Sequence, residues 1–184
     1  EPTFLPPSEQ FSLLQVVALA MADMLSEYDI EAKIKWTNDI YVGDRKLVGI
    51  LMEHKLQGAV IGRTIAGIGL NVNQTEFDPD LPNPTSMRLI AGREFDRKEV
   101  LERIALHLKN RYEMLRRGEI KQLHLDYHQR LYRLGEEHTY ALPDGTRFRG
   151  VIEGVEPQGA LKITTPQGEA YKFLFKEVEF VLKN

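Results

Sequence analysis

The first regular pattern along the chain is helical. Phe11, Leu14, Val17, Ala18, Met21, Met24 and Leu25 recur at three- and four-residue intervals, and Ser8 is the predicted N-cap. The period then drops to two: Ala32-Lys33-Ile34-Lys35-Trp36 alternates apolar and polar residues as a strand does. Residues 40–42 and 47–52 read as two further strands joined by a Gly43-Asp44 turn, and residues 60–72 as a β-rich run holding Gly62, Gly67 and Gly69. A helix therefore leads into an antiparallel meander. Residues 73–86, with Pro79, Pro82 and Pro84, form a long irregular connection, and loops of that length are often functional. A second helix begins at a capping box made by Asp96 and Glu99. Val100, Leu101, Ile104, Ala105, Leu108, Tyr112 and Leu115 line its apolar face, and Gly118 stops it. Ile120, Leu123, Tyr127 and Leu131 predict a shorter helix with a solvated, charged outer face.

Near Leu134-Gly135 the pattern changes again. Short strands are now separated by Pro-Asp-Gly-Thr (143–146), Pro-Gln-Gly-Ala (157–160) and Pro-Gln-Gly-Glu (166–169). Proline presets φ and glycine supplies positive φ, so each is a turn. Strands at this spacing over about fifty residues suggest a small barrel. The predicted organisation is two domains, residues 1–134 and 135–184.

Composition narrows the class. In 184 residues, 42% hydrophobic and 28% charged, there is enough apolar surface for a packed core. The formal charge is −3 and no basic stripe appears, which disfavours a nucleic-acid partner. The absence of cysteine removes disulfides and thiolate chemistry and agrees with a cytoplasmic location. Residues 11–24 form the most apolar run, but Gln15 and Asp23 interrupt it, so a buried helix is expected and no membrane span. The opening Glu-Pro-Thr-Phe-Leu-Pro-Pro has no charged n-region and is not read as a signal peptide; it also lacks an initiator Met, as a fragment would.

Three clusters hold candidate chemistry: Lys35-Trp36-Thr37-Asn38-Asp39, Arg45-Lys46-Leu47-Val48-Gly49-Ile50-Leu51, and Gly67-Ile68-Gly69-Leu70-Asn71-Val72-Asn73. Singly, each has a plain reading as a turn, a solvated lysine or a weak Gly-x-Gly. Together they say more. Lys46 begins a buried strand that fixes its stem, and glycines within strands mark close approach of a ligand to the backbone. Asn38 and Asn71 each offer a donor and an acceptor, suited to a purine edge. Lysine, aspartate, amide and glycine describe an acyl-phosphate or nucleotide site without a covalent nucleophile. His124 and His128 stand four apart on a helix, but no third ligand accompanies them, and no zinc is assigned.

The ordered motifs Lys-Trp-x-Asn-Asp, Arg-Lys-x-x-Gly-Ile-Leu-x-Glu and Gly-Ile-Gly-x-Asn-x-Asn resemble those of biotin–protein ligases, and the resemblance extends through the Gln158-Gly159-Ala160-Leu161 turn. It implies an α/β fold with a class II synthetase-like mixed or antiparallel sheet and packed helices, followed by a Src-homology-3-like β-barrel. It implies a ligase that uses ATP and Mg²⁺ to convert biotin into biotinyl-adenylate, then biotinylates a lysine on the carrier domain of a carboxylase. Carried over by motif, Lys46 contacts the biotin carboxyl and the α-phosphate, while Asp39 acts on the acceptor lysine or assists Mg²⁺. Asn38 and Asn71 lie on the adenylate side with Lys35 as electrostatic support, and Gly49, Ile50, Gly67 and Ile68 floor the biotin pocket. Thr37 stands where the family has proline. The family's Gly/Arg-rich adenylate loop has no counterpart and is expected upstream of Glu1, so this chain alone is expected to ligate poorly; no winged-helix segment is visible. The sequence leaves oligomeric state open and admits a homodimer. Rival readings are a lipoate ligase, a non-catalytic carrier-binding module, and a biotin-responsive repressor, which needs a DNA-binding domain.

Overall fold

The computed structural model describes residues 1–182. A 3₁₀ turn at Pro7–Glu9 leads into helix α1 (Gln10–Ser26). Because the chain is already turning at Ser8, the N-cap is Glu9 and not the expected serine; Ser12 Oγ donates to the Glu9 carbonyl instead. Thirteen of the seventeen α1 residues are buried, so it is enclosed on nearly every side and not on one face. Its neighbours are the first sheet, helix α3 (Arg97–Arg116) and helix α4 (Ile120–Gln129). Arg111 of α3 ties these helices together, donating to Asp23 of α1 at 2.6 Å and pairing with Asp126 of α4.

The first sheet is an antiparallel meander of β1 (Lys33–Lys35), β2 (Asp39–Val42), β3 (Arg45–Gln57) and β4 (Val60–Leu70), hydrogen-bonded in that order. Strand β3 is longer than the apolar run at 47–52 predicted, because its outer half continues as an exposed ladder with β4. The proline-rich connection leads into a helix that sequence patterning passes over, α2 (Met87–Ala91), capped by Ser86 Oγ and closed by Gly92 at φ 69°. Helix α3 starts at Asp96 as expected, its side chain accepting from Lys98 N; Glu99 does not complete the capping box and reaches Tyr28 instead.

The second sheet is antiparallel throughout: β5 (Glu137–Ala141), β6 (Arg147–Val155), β7 (Leu161–Thr164), β8 (Ala170–Phe173) and β9 (Glu179–Phe180), in the order β8-β7-β6-β5-β9. Gly145, Gly159 and Gly168 occupy its turns with φ of 85°, 100° and 86°. The expected barrel is not closed among the described residues, since the outer strands β8 and β9 share no ladder. The two sheets meet through one continuous core. Phe11 packs so near Gly159 that a Cβ there would stand 2.8 Å from its ring, and Trp36 Nε1 donates to the Gly159 carbonyl at 2.9 Å.

Candidate active site

Strand register assembles the site. Lys35 pairs with Asp39, Asp39 with Gly49, and Gly49 with Gly69, so one cross-strand row runs through all four strands. Directly paired residues share a face. Lys46 lies three residues from Gly49 and in a regular strand would point the other way. A bulge resolves this: Tyr41 pairs with Lys46 while Ile40 pairs with Val48, leaving Leu47 as the extra residue. Leu47 and Val48 are both fully buried, and the lysine emerges on the glycine face.

There Lys46 Nζ meets Asp39 Oδ1 at 2.7 Å. The lysine stem crosses Gly49, where a Cβ would lie 3.3 Å from Lys46 Cε and 3.7 Å from Asp39 Oδ1. Glycine is thus what lets the ion pair lie against the sheet. Lys46 is held from the other side as well: its N–H donates to the Asn83 carbonyl at 2.8 Å and its carbonyl accepts from Thr85 N at 2.9 Å. A cleft of about 430 Å³ opens beside the pair, lined by Tyr41, Gly49, Gly69, Asn71 and the proline-rich segment 81–84. That is within the range of small-ligand sites. A larger hollow, about 660 Å³, lies on the second sheet among Leu142, Phe148, Tyr171 and Phe173. It shares no residue with the Lys46 cluster, and the chemistry favours the smaller cleft.

The loop before β2 is pinned at several points. Tyr127 Oη donates to the Thr37 carbonyl at 2.9 Å, Asn38 Nδ2 donates to the Ile50 carbonyl, and Ile50 N donates to the Asn38 carbonyl at 2.9 Å. The Trp36–Thr37 peptide bond is cis. Lys35 sits beyond Asp39 with its Nζ 4.7 Å from the Phe180 ring centroid and 5.3 Å from that of Tyr41. Burial lowers the pKa of Lys35 from its ordinary value, and the charge of Asp39 opposes that shift.

The chain is similar to known proteins in both sequence and shape. Residues 3–72 match the model of the biotin/lipoate A/B protein ligase family. The bifunctional ligase/repressor BirA of Bacillus subtilis is 30% identical over 167 residues, 89% of this chain and 51% of the relative. The biotin–[acetyl-CoA-carboxylase] ligase of Mycobacterium tuberculosis is 30% identical over 142 residues, 77% of this chain and 51% of that protein. The biotin protein ligase of Aquifex aeolicus, solved in complex with biotin and ATP, superposes with a TM-score of 0.76 at 27% identity, covering 93% of this chain and 72% of the other. The chain resembles the biotin–protein ligases in both sequence and fold, and the match to the ligase family model lies in residues 3–72. The chain spans about half the length of the curated relatives just named.

Within this site the expected residues divide. Lys46, Asp39, Gly49, Gly67 and Lys35 share one face. Ile50 and Ile68 pair with each other and point to the opposite face, where Ile50 is 2% exposed. Their side chains belong to the core, and a floor built with Gly49 and Gly67 could use only their backbone. The two asparagines are also more committed than a purine-reading role requires. Asn71 Nδ2 donates to the buried Thr85 carbonyl at 2.9 Å and its main-chain carbonyl accepts from Met87 N at 3.0 Å, latching the 83–88 segment to β4. Asn73, unassigned from sequence, exchanges hydrogen bonds of 2.8 and 3.0 Å with the Phe95 backbone. Tyr41, Asn83 and Phe180 were missed because nothing in their local pattern shows that they meet Lys35 and Lys46. His124 and His128 are used otherwise: the first contacts Gln15 Nε2 at 3.0 Å and the second the Glu153 carbonyl at 2.9 Å.

Proposed function

We propose that this protein activates biotin with ATP and transfers it, through biotinyl-adenylate, to a lysine on the carrier domain of a carboxylase. The observation that carries the reading is the Lys46–Asp39 ion pair laid over Gly49 at the mouth of the cleft. The biotin carboxylate is a competitor for Lys46. Once it binds there, the ammonium orients it toward the α-phosphorus and stabilises the charge that builds as a carboxylate oxygen attacks and pyrophosphate leaves. The same exchange frees Asp39 from its partner. Its carboxylate then accepts the proton of the acceptor amine as that nitrogen attacks the acyl carbonyl and AMP departs. One ion pair thus serves both steps.

Glycines 67 and 69 add no side chain to the face and Gly49 carries only the Lys46 stem, so a bicyclic acid can lie on the backbone beside exposed Leu51. Asp39 is the cleft's single carboxylate. A Mg²⁺ arriving on the nucleotide could be held there by Asp39 and would screen the phosphate charge. Asn38 and Asn71 serve the adenylate by holding the walls of its site. Residues 1–134 supply the reacting side chains, residues 135–184 form the second unit packed against them, and a chain without cysteine suits the cytoplasm.

The test is biotin-dependent exchange of labelled pyrophosphate into ATP. Lys46→Ala should lower it by about a hundredfold or more, the scale of one lost preorganised donor. Undiminished exchange, or lipoate supporting it better than biotin, contradicts the reading.

A further inference from the structure

Asp39 stands between two lysines but neutralises one of them. Lys46 takes its Oδ1 at 2.7 Å, whereas among the described residues Lys35 has no carboxylate within 4.0 Å. In place of a counter-ion Lys35 has two rings, Tyr41 on β2 and Phe180 on β9, at 5.3 and 4.7 Å from Nζ. Both distances are inside the range of cation–π attraction. The Phe180 ring is itself fixed. It stacks on Tyr132 at 6.2 Å and meets Tyr140 edge-on at 5.4 Å, and its backbone pairs with Tyr140 of β5. A surface lysine has no need of such a mount. An ammonium taken partly out of water without a carboxylate is costly unless an anion completes its shell. π faces orient a cation without cancelling its charge, so the mount leaves Lys35 attractive to an incoming anion.

We propose that Phe180 is a positioning residue for Lys35, holding its ammonium beside Asp39 to receive the phosphate chain of the nucleotide, so that the second sheet forms part of the adenylation site. The proposal rests on the ligase reading above and adds a role for a residue on an element remote in sequence from all three motifs. It also gives the contact between the two sheets a function: β9 carries the ring that aims a group of β1. Lys46 and Lys35 then divide the substrates, the first taking the acid and the α-phosphate, the second the outgoing pyrophosphate.

The test follows the ε-methylene resonances of carbon-13-labelled lysines in the whole chain, with inorganic pyrophosphate as the probe; Lys35→Met assigns the Lys35 signal. Wild type should show that signal displaced upfield by the rings and moving as pyrophosphate is added. Phe180→Leu should reduce the displacement to the part due to Tyr41 and weaken pyrophosphate binding about fivefold, the scale of one cation–π contact, and Phe180→Trp should restore both. If Phe180→Leu proves unstable, Lys35→Met carries the comparison and should lose pyrophosphate affinity at least as strongly. A Lys35 signal indifferent to saturating pyrophosphate overturns the proposal, as does pyrophosphate binding unchanged in either the leucine or the methionine variant. Biotin titrated into the same samples separates the two claims. Failure to bind biotin with the Lys35 response intact overturns the ligase reading alone, while a silent Lys35 beside normal biotin binding overturns the clamp alone.

Discussion

Gly49→Ala isolates the geometry of the site from the stability of the fold. The backbone at Gly49 is not in the left-handed region, so alanine is conformationally allowed. Its methyl would stand 3.3 Å from Lys46 Cε and 3.4 Å from Nζ, closer than the roughly 3.5–4.0 Å at which carbon atoms pack best. The flexible lysine yields before the strand does. Two small effects then act on stability with opposite sign. Loss of a half-exposed ion pair costs about 0–1 kcal/mol. Replacing glycine by alanine at a compatible site returns about 0.4–1 kcal/mol by narrowing the unfolded ensemble. The melting temperature should therefore move by no more than about 4 °C. Catalysis has no such offset. Lys46 must lift off the sheet, its ammonium swings at the end of a four-carbon stem, and misplacement by about 1 Å can cost on the order of a hundredfold. Expected are a near-normal melting curve by circular dichroism and a loss of about ten- to a hundredfold in kcat/KM for pyrophosphate exchange. Exchange within twofold of wild type would show that the ion pair need not lie on the sheet. A fall in melting temperature well beyond 10 °C would make Gly49 a packing position.

Three further substitutions probe separate parts of the account. Asp39→Asn should slow transfer of biotin from preformed biotinyl-adenylate by about a hundredfold or more while impairing pyrophosphate exchange less; a defect confined to exchange assigns Asp39 to the metal or the nucleotide. Asn71→Ala strands the buried Thr85 carbonyl and should cost about 1–2 kcal/mol, a drop of roughly 2–8 °C in melting temperature. An unchanged melting temperature would show that the 83–88 segment is held without this latch. Arg103 and then His107 hold the Glu27 carboxyl at about 2, below its ordinary 4.5. Because the folded-state value is depressed, its stabilising effect is present above pH 4.5 and fades as pH falls toward 2. Wild type should therefore lose thermal stability more steeply across that interval than Glu27→Gln, and parallel curves would contradict the pairing.

Much of the first sheet was legible because its signals are local. Alternation at 32–36, the Gly43-Asp44 turn and the glycines at 67 and 69 each declare a strand, a hairpin or a bare patch without reference to distant residues. The same alternation, applied strictly, separates Gly49 from Ile50 and Gly67 from Ile68, although each pair is adjacent within one motif. It would also have sent Lys46 to the wrong face, because the bulge at Leu47 is a property of two strands together. Helix α2 was marked by Ser86 before it and Gly92 after it, but five residues are too few to show a helical period. Whether the second sheet closes depends on pairing between its outermost strands, which turn residues do not specify. Phe180 lay beyond local reasoning altogether, since its importance arises only where the two sheets meet.

The central claim concerns where the acid sits, and a crystal structure of the protein with biotin and a non-hydrolysable ATP analogue addresses it most directly. The account predicts a biotin carboxylate within about 3 Å of Lys46 Nζ, the bicyclic ring against Gly49 and Gly69, and Asp39 released from its 2.7 Å contact with the lysine. Biotin seated instead in the hollow among Phe148, Tyr171 and Phe173, with the Lys46–Asp39 pair intact, would contradict it.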